Sequence, residues 1–134
     1  MLTKKNPGTH FIFHELEASL AAELRHAVSQ PGSTVYATVS TSECLSVAEE
    51  QQADVVFCSA DPRKYQKLLA ALKGNGVPLP VVVVSRIPET SEWLDALDAG
   101  ATDYCGAPFE REQISWLVES AMLSTPRAPL ASVR

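Results

Sequence analysis

The spacing of apolar residues switches between two periods along the chain. Phe11, Ile12 and Phe13, flanked by His10 and His14, form a short continuous run, as expected of a strand covered on both faces. Leu16, Leu20, Leu24, Ala27 and Val28 then recur at helical spacing, and Pro31-Gly32 stops that helix. Val35, Ala37 and Val39 alternate with Thr34, Tyr36 and Thr38, which predicts a second, half-exposed strand. Ser40 and Glu43 have capping-box spacing ahead of a short helix from Cys44 to Gln52. A third strand runs from Ala53 to Ser59. Asp61-Pro62 supplies the N-cap and first residue of the next helix, because proline lacks an N–H that would stay unpaired there. Its apolar stripe is Tyr65, Leu68, Leu69 and Leu72, and Gly74-Asn75-Gly76 ends it. Val81 to Ser85 is a fourth strand. A helix beginning at Thr90 or Ser91 carries Trp93, Leu94 and Leu97 and stops at Gly100. Thr102 to Ala107 is a fifth strand, and Ile114, Leu117, Val118 and Ala121 mark the last helix.

Five β-α units without an internal linker or repeat predict one α/β domain with a parallel sheet, right-handed crossovers and helices on both faces. The expected boundaries are an N-terminal extension over 1–9, the domain over 10–123, and a flexible tail or linker over 124–134, which holds two prolines. Such three-layer, doubly wound sheets place ligands at the carboxyl ends of their strands. The residues to inspect for chemistry are therefore His14-Glu15, Ser59 to Asp61, Ser85, and Tyr104 to Pro108.

Composition narrows the function classes. Sixteen acidic against eleven basic residues give a net charge of −5, the wrong balance for a phosphate-backbone surface, so no nucleic-acid partner is expected. No apolar run approaches the roughly 20 residues needed to cross a bilayer. Met1 to Pro7 has two lysines but no apolar segment behind it of secretory-signal length. Cys44, Cys58 and Cys105 are an odd number at wide spacing, which fits reduced, core-packed thiols in a cytoplasmic protein. At 46% hydrophobic, the chain is not a disordered one.

The run Ala96-Leu97-Asp98-Ala99-Gly100-Ala101-Thr102-Asp103-Tyr104, with Pro108-Phe109, resembles the receiver domain of bacterial two-component response regulators from its fourth helix to its cis-prolyl turn. Ala53-Asp54-Val55-Val56-Phe57-Cys58 is similar to that family's third strand, and the resemblance spans roughly residues 10 to 123. It implies a flavodoxin-like (βα)5 fold with strand order 2-1-3-4-5. It also implies a chemistry: phosphorylation of an aspartate ending the third strand, Mg²⁺ held by an acidic pair after the first, a Ser or Thr ending the fourth, and a lysine before the fifth-strand proline. Cation and ammonium neutralise the incoming phosphoryl oxygens, which is what makes a carboxylate a usable nucleophile there.

Carried over position by position, most of that machinery is missing. The phosphoacceptor position is Ser59, the lysine position is Ala107, and the acidic pair is His14 and Glu15. Ser85 fits its expected type, and Tyr104 fits the aromatic position that follows the switching state. The loop after the third strand is about two residues short and lacks a Met-Pro-Gly-like turn. The resemblance thus implies a degenerate receiver, not an enzyme, with no cofactor. Mg²⁺ enters only in an alternative with Asp61 as a displaced phosphoacceptor and a rearranged pocket. Glu15 and Asp61, beside His14, are the weak candidate cation ligands; the competing reading makes both carboxylates helix N-terminal charges. A flavodoxin-like nucleotide or cofactor binder is a further alternative, but His14-Glu15-Leu16-Glu17-Ala18-Ser19 contains no glycine for a phosphate-binding turn.

A domain without a switchable pocket acts through its surface. The resemblance points to the face of the fourth helix, fifth strand and fifth helix, where Trp93, Leu97, Tyr104, Trp116 and Leu117 are the candidate interface residues. A helical wheel sets Trp116 opposite the Ile114, Val118 and Ala121 stripe and Leu117 at its edge. The competing reading buries Trp93, Leu94 and Leu97 as the fourth helix's core stripe. The expected partner is another protein, a second copy whose association Leu97→Glu would weaken, or a covalently linked output domain.

Overall fold

A computed structural model describes residues 8–124; the expectations for 1–7 and 125–134 lie outside the described residues. Five parallel strands form one sheet in the order β2-β1-β3-β4-β5. They are β1 (His10–His14), β2 (Thr34–Thr38), β3 (Val55–Ser59), β4 (Val81–Ser85) and β5 (Asp103–Gly106). The helices are α1 (Ala18–Val28), α2 (Thr41–Glu50), α3 (Pro62–Gly74), α4 (Thr90–Ala99) and α5 (Arg111–Ser124). No helix among the described residues is long and apolar enough to cross a membrane.

Because side chains alternate along a strand, the central strands feed two cores. Phe11, Phe13, Phe57, Val82 and Val84 pack with Leu20 and Leu24 of α1 and Ile114 and Leu117 of α5. Ile12, Val56, Cys58 and Val83 pack on the other face with Cys44 of α2, Tyr65 and Leu68 of α3, and Ala96 of α4. Phe57 meets Phe13 edge-on at 5.8 Å, a favoured aromatic geometry. All three cysteines are free and buried; burial raises the Cys58 thiol to about 12 and those of Cys44 and Cys105 to about 11.

Local signals act as their chemistry requires. Ser40 Oγ accepts from the Glu43 N–H at 3.2 Å, and the Glu43 carboxylate accepts in return from the Val39 N–H at 2.9 Å. Asp61 caps α3 by accepting from the Arg63 N–H at 3.0 Å, with Pro62 as the first helical residue. Gly100 ends α4 at φ 115°, a left-handed conformation that a side chain would strain.

The edges depart from the sequence expectation. Val39 is 76% exposed and lies beyond β2, and Ala37 is exposed, whereas Thr38 is buried because its hydroxyl pairs with His14. Strand β5 is shorter than expected, ending at Gly106.

Candidate functional site at the strand ends

His14 closes β1 and is fully buried. Its Nδ1 lies 2.8 Å from the Thr38 hydroxyl across the β1–β2 pairing. Its Nε2 lies 3.2 Å from Glu15 Oε2, at ion-pair distance but off the line of a hydrogen bond, so Nε2 is a buried polar atom without a hydrogen-bond partner. Burial holds the imidazole below its ordinary pKa, against the opposing pull of the Glu15 and Glu43 carboxylates.

Glu15 does not stand at a helix start. It leaves the strand at φ 55°, an uncommon conformation for a non-glycine residue, and α1 begins later, with Glu17 as its N-cap. The turn sends the Glu15 carboxylate between His14 and Lys64, whose Nζ lies 4.0 Å from Oε1.

At the end of β3, Ser59 Oγ accepts from the Asp61 N–H at 3.1 Å, a turn within the loop itself. The Asp61 carboxylate is held twice by Arg63, with Nη2 at 3.0 Å from Oδ2 and Nε at 3.3 Å from Oδ1. The hydrogen bonds from Arg63 keep it below the usual carboxylate range. Ser85 Oγ accepts from the Ile87 N–H at 3.1 Å. Ala107 is half-buried against the α1–α5 core, donates its N–H to the Ser85 carbonyl at 2.9 Å, and precedes a cis bond to Pro108.

The structure therefore brings His14 and Glu15 together but gives Asp61 to Arg63. Among the described residues no group of three His, Cys, Asp or Glu side chains converges as a metal site. The donors do not fit Mg²⁺: Glu15 is shared between an imidazole and an ammonium, Asp61 is committed to a guanidinium, and a hard cation wants several free oxygens.

Sequence reasoning missed three cations. Lys64 and Arg63 lie in the first turn of α3, directly after Asp61, where basic side chains reach back to the strand ends. Arg86, next to Ser85, spans to α1: it pairs with Glu23 Oε2 at 2.9 Å, donates to Ser19 Oγ at 2.9 Å and approaches Glu17 Oε1 at 3.8 Å. Its place immediately after a strand end was the available signal.

The second candidate region is the open edge of β5. Trp93 and Leu94 of α4 are 45% and 54% exposed, and Trp116 of α5 is 66% exposed. Leu97 and Tyr104 are half-buried. Leu117 is 5% exposed and belongs to the α1–α5 core, which removes it from the interface: the apolar stripe of α5 is wide enough to take both Leu117 and Val118 inward. A groove of about 300 Å³ is lined by Pro88, Glu89, Thr90, Trp93, Tyr104 and Gly106. Tyr104 is turned to α4, its hydroxyl donating to Glu92 Oε1 at 2.8 Å, and burial raises its pKa. Gly106 is required by close approach, since a Cβ there would stand 2.4 Å from Pro88 Cγ.

Solved structures supply the comparison. The receiver domain of a Francisella response regulator superposes with a TM-score of 0.68 at 17% identity, over 87% of this chain and 98% of that one. The chain has the receiver fold. An atypical orphan response regulator, described as having a phosphorylation-independent regulatory mechanism, matches with a TM-score of 0.67 at 19% identity, over 87% of this chain and 97% of that one. Full-length FixJ from B. japonicum matches with a TM-score of 0.70 at 18% identity, over 92% of this chain and 59% of that longer one. No protein-family model and no curated relative matches the sequence. At these identities the shared property is the fold, and the receiver positions in this chain are read from its own residues.

Proposed function

We propose that this chain is an atypical receiver domain of bacterial two-component signalling that has lost phosphoryl transfer and regulates by binding protein through its α4–β5–α5 face. The observation that carries this reading is the pair of residues at the ends of β3 and β5, Ser59 and Ala107. An acyl phosphate needs a carboxylate nucleophile and cations to neutralise the transferred charge. Ser59 has no carboxylate, and Ala107 no ammonium. A serine ester would be a stable end product whose formation needs a base. His14 is buried, with Nδ1 committed to Thr38 and Nε2 against Glu15.

The fold shared with an atypical orphan regulator supports this reading, and the longer FixJ chain supports an output domain linked to this one in the full protein. Asp61 as a displaced acceptor is disfavoured because Arg63 already occupies both of its oxygens. The test is addition of beryllofluoride or acetyl phosphate with Mg²⁺ to the labelled protein, followed by amide NMR. The reading predicts unmoved resonances at Ser59, Asp61 and Tyr104. Saturable shifts there overturn it.

A further inference from the structure

The face beside β5 carries a charge that the rest of the chain lacks. Eight of the sixteen acidic residues lie between Ile87 and Ser124, with a single basic residue, Arg111, among them. The Arg111 guanidinium donates to the Ser29 carbonyl at the end of α1, so it is turned away from this face. On α5 the exposed Glu112, Trp116 and Glu119 stand four and three residues apart on the solvent side of the helix, Glu119 also bordering the cavity between α1 and α5. Glu89, the N-cap residue of α4, and Trp93 border the groove beside Tyr104. Pairing this face with itself would set carboxylates against their own copies, an arrangement that suppresses association.

Helix α3 has the opposite character. It carries Arg63, Lys64, Lys67 and Lys73 and no acidic residue. Lys67 and Lys73 are exposed, and Arg63 is 90% exposed even while paired with Asp61. Helices α3 and α5 lie on opposite faces of the sheet, so the sheet separates them within one molecule.

We propose that the α4–β5–α5 face docks on α3 of a second copy of this chain. In this head-to-tail contact Lys67 and Lys73 meet Glu112 and Glu119, and the exposed indoles of Trp93 and Trp116 receive cationic side chains on their faces. The two surfaces differ, so each contact leaves one free copy of each surface at the ends, and the assembly lengthens without closing. The proposal rests on reading this face as an interaction surface. It does not depend on phosphoryl chemistry, so a phosphorylated protein would overturn the phosphorylation-independent reading and leave this contact to be judged by association alone.

Sedimentation velocity on the whole chain tests it with two charge-reversal variants, each checked for native circular dichroism. One carries Glu112→Lys and Glu119→Lys, the other Lys67→Glu and Lys73→Glu. Wild-type protein should associate with rising concentration at about 50 mM salt and weaken roughly tenfold by about 500 mM. Each variant should stay monomeric alone, because it has lost one of the two surfaces. Mixed, they should associate again and lengthen as alternating copies, because one contact keeps its native charges and the other pairs the reversed ones. A wild type that is monomeric throughout, an association that salt strengthens, or a mixture that stays monomeric overturns the head-to-tail contact. So does association of both variants alone, which would mark a symmetric or purely apolar interface.

Discussion

The carboxyl ends of β1 and β3 and the open edge of β5 treat their polar groups in opposite ways. At the strand ends the charges are met from inside the molecule: Glu15 by His14 and Lys64, Asp61 by Arg63, and Glu17 and Glu23 by Arg86. At the β5 edge, Trp93 and Trp116 stand in solvent among carboxylates that outnumber cations by eight to one between Ile87 and Ser124. A phosphorylatable mouth keeps opposed charges uncommitted, ready for an incoming phosphoryl group. Under the proposed reading, with serine at the end of β3 and alanine before Pro108, nothing keeps the remaining carboxylates free, and nearby cations close on them. The exposed indoles at the β5 edge make it the proposed docking face.

Neighbouring residues on α5 offer the sharpest way to break this comparison. Leu117→Ala should cost about 2–5 kcal/mol in denaturant unfolding, the usual range for truncating a buried leucine. Trp116→Ala, one residue earlier, should stay within about 0.5 kcal/mol, as surface changes do, while weakening self-association. Equal costs for the two would redraw the face.

Gly106→Ala drives a methyl group into Pro88 and should destabilise by about 1–3 kcal/mol, the range for overpacking. Because Pro88 lines the groove, Trp93 fluorescence in a Trp116→Phe background should change with it. An unchanged spectrum and stability would mean that the β4–α4 loop yields freely. Arg86→Ala removes that loop's tie to α1 and should cost about 0.2–1 kcal/mol at low salt and less at high salt. Hydrogen exchange at the Ile87 amide reads the same loss locally.

The buried imidazole predicts a pH dependence of definite sign. The folded state holds the His14 pKa below 6.5, so the unfolded chain binds the extra proton first as pH falls. Stability from this group is therefore complete above about pH 6.5 and declines as the pH drops toward the lower folded value. His14→Asn should flatten that part of the stability curve between pH 7.5 and 5.5. A wild type whose stability rises on acidification across this window would show the Glu15 and Glu43 carboxylates winning over burial.

Strand order and core were legible because long-range order in a doubly wound sheet follows from local alternation. Val81 to Ser85 and His10 to His14 are continuous apolar runs, and they are buried strands as read. The helix caps at Ser40 and Asp61 were legible for the same reason: their partners lie within three residues. Leu117 was misplaced because a wheel gives the direction of a stripe but not its width, which depends on how closely α1 approaches α5. The pairing of Arg86 was not legible because its partners on α1 lie more than sixty residues away, although its place after a strand end marks the residue itself. Glu15 was mistaken for a helix-start charge because its left-handed turn has no glycine to announce it. That a serine ends β3 and an alanine precedes Pro108 was legible directly, because the strand ends follow from the apolar runs.

The most direct measurement of the central claim is the intact mass of the purified chain after incubation with acetyl phosphate and Mg²⁺, with and without hydroxylamine. The account predicts an unchanged mass in both samples, because β3 ends in a serine where an acyl phosphate needs a carboxylate. A gain of one phosphoryl group that hydroxylamine removes would contradict it.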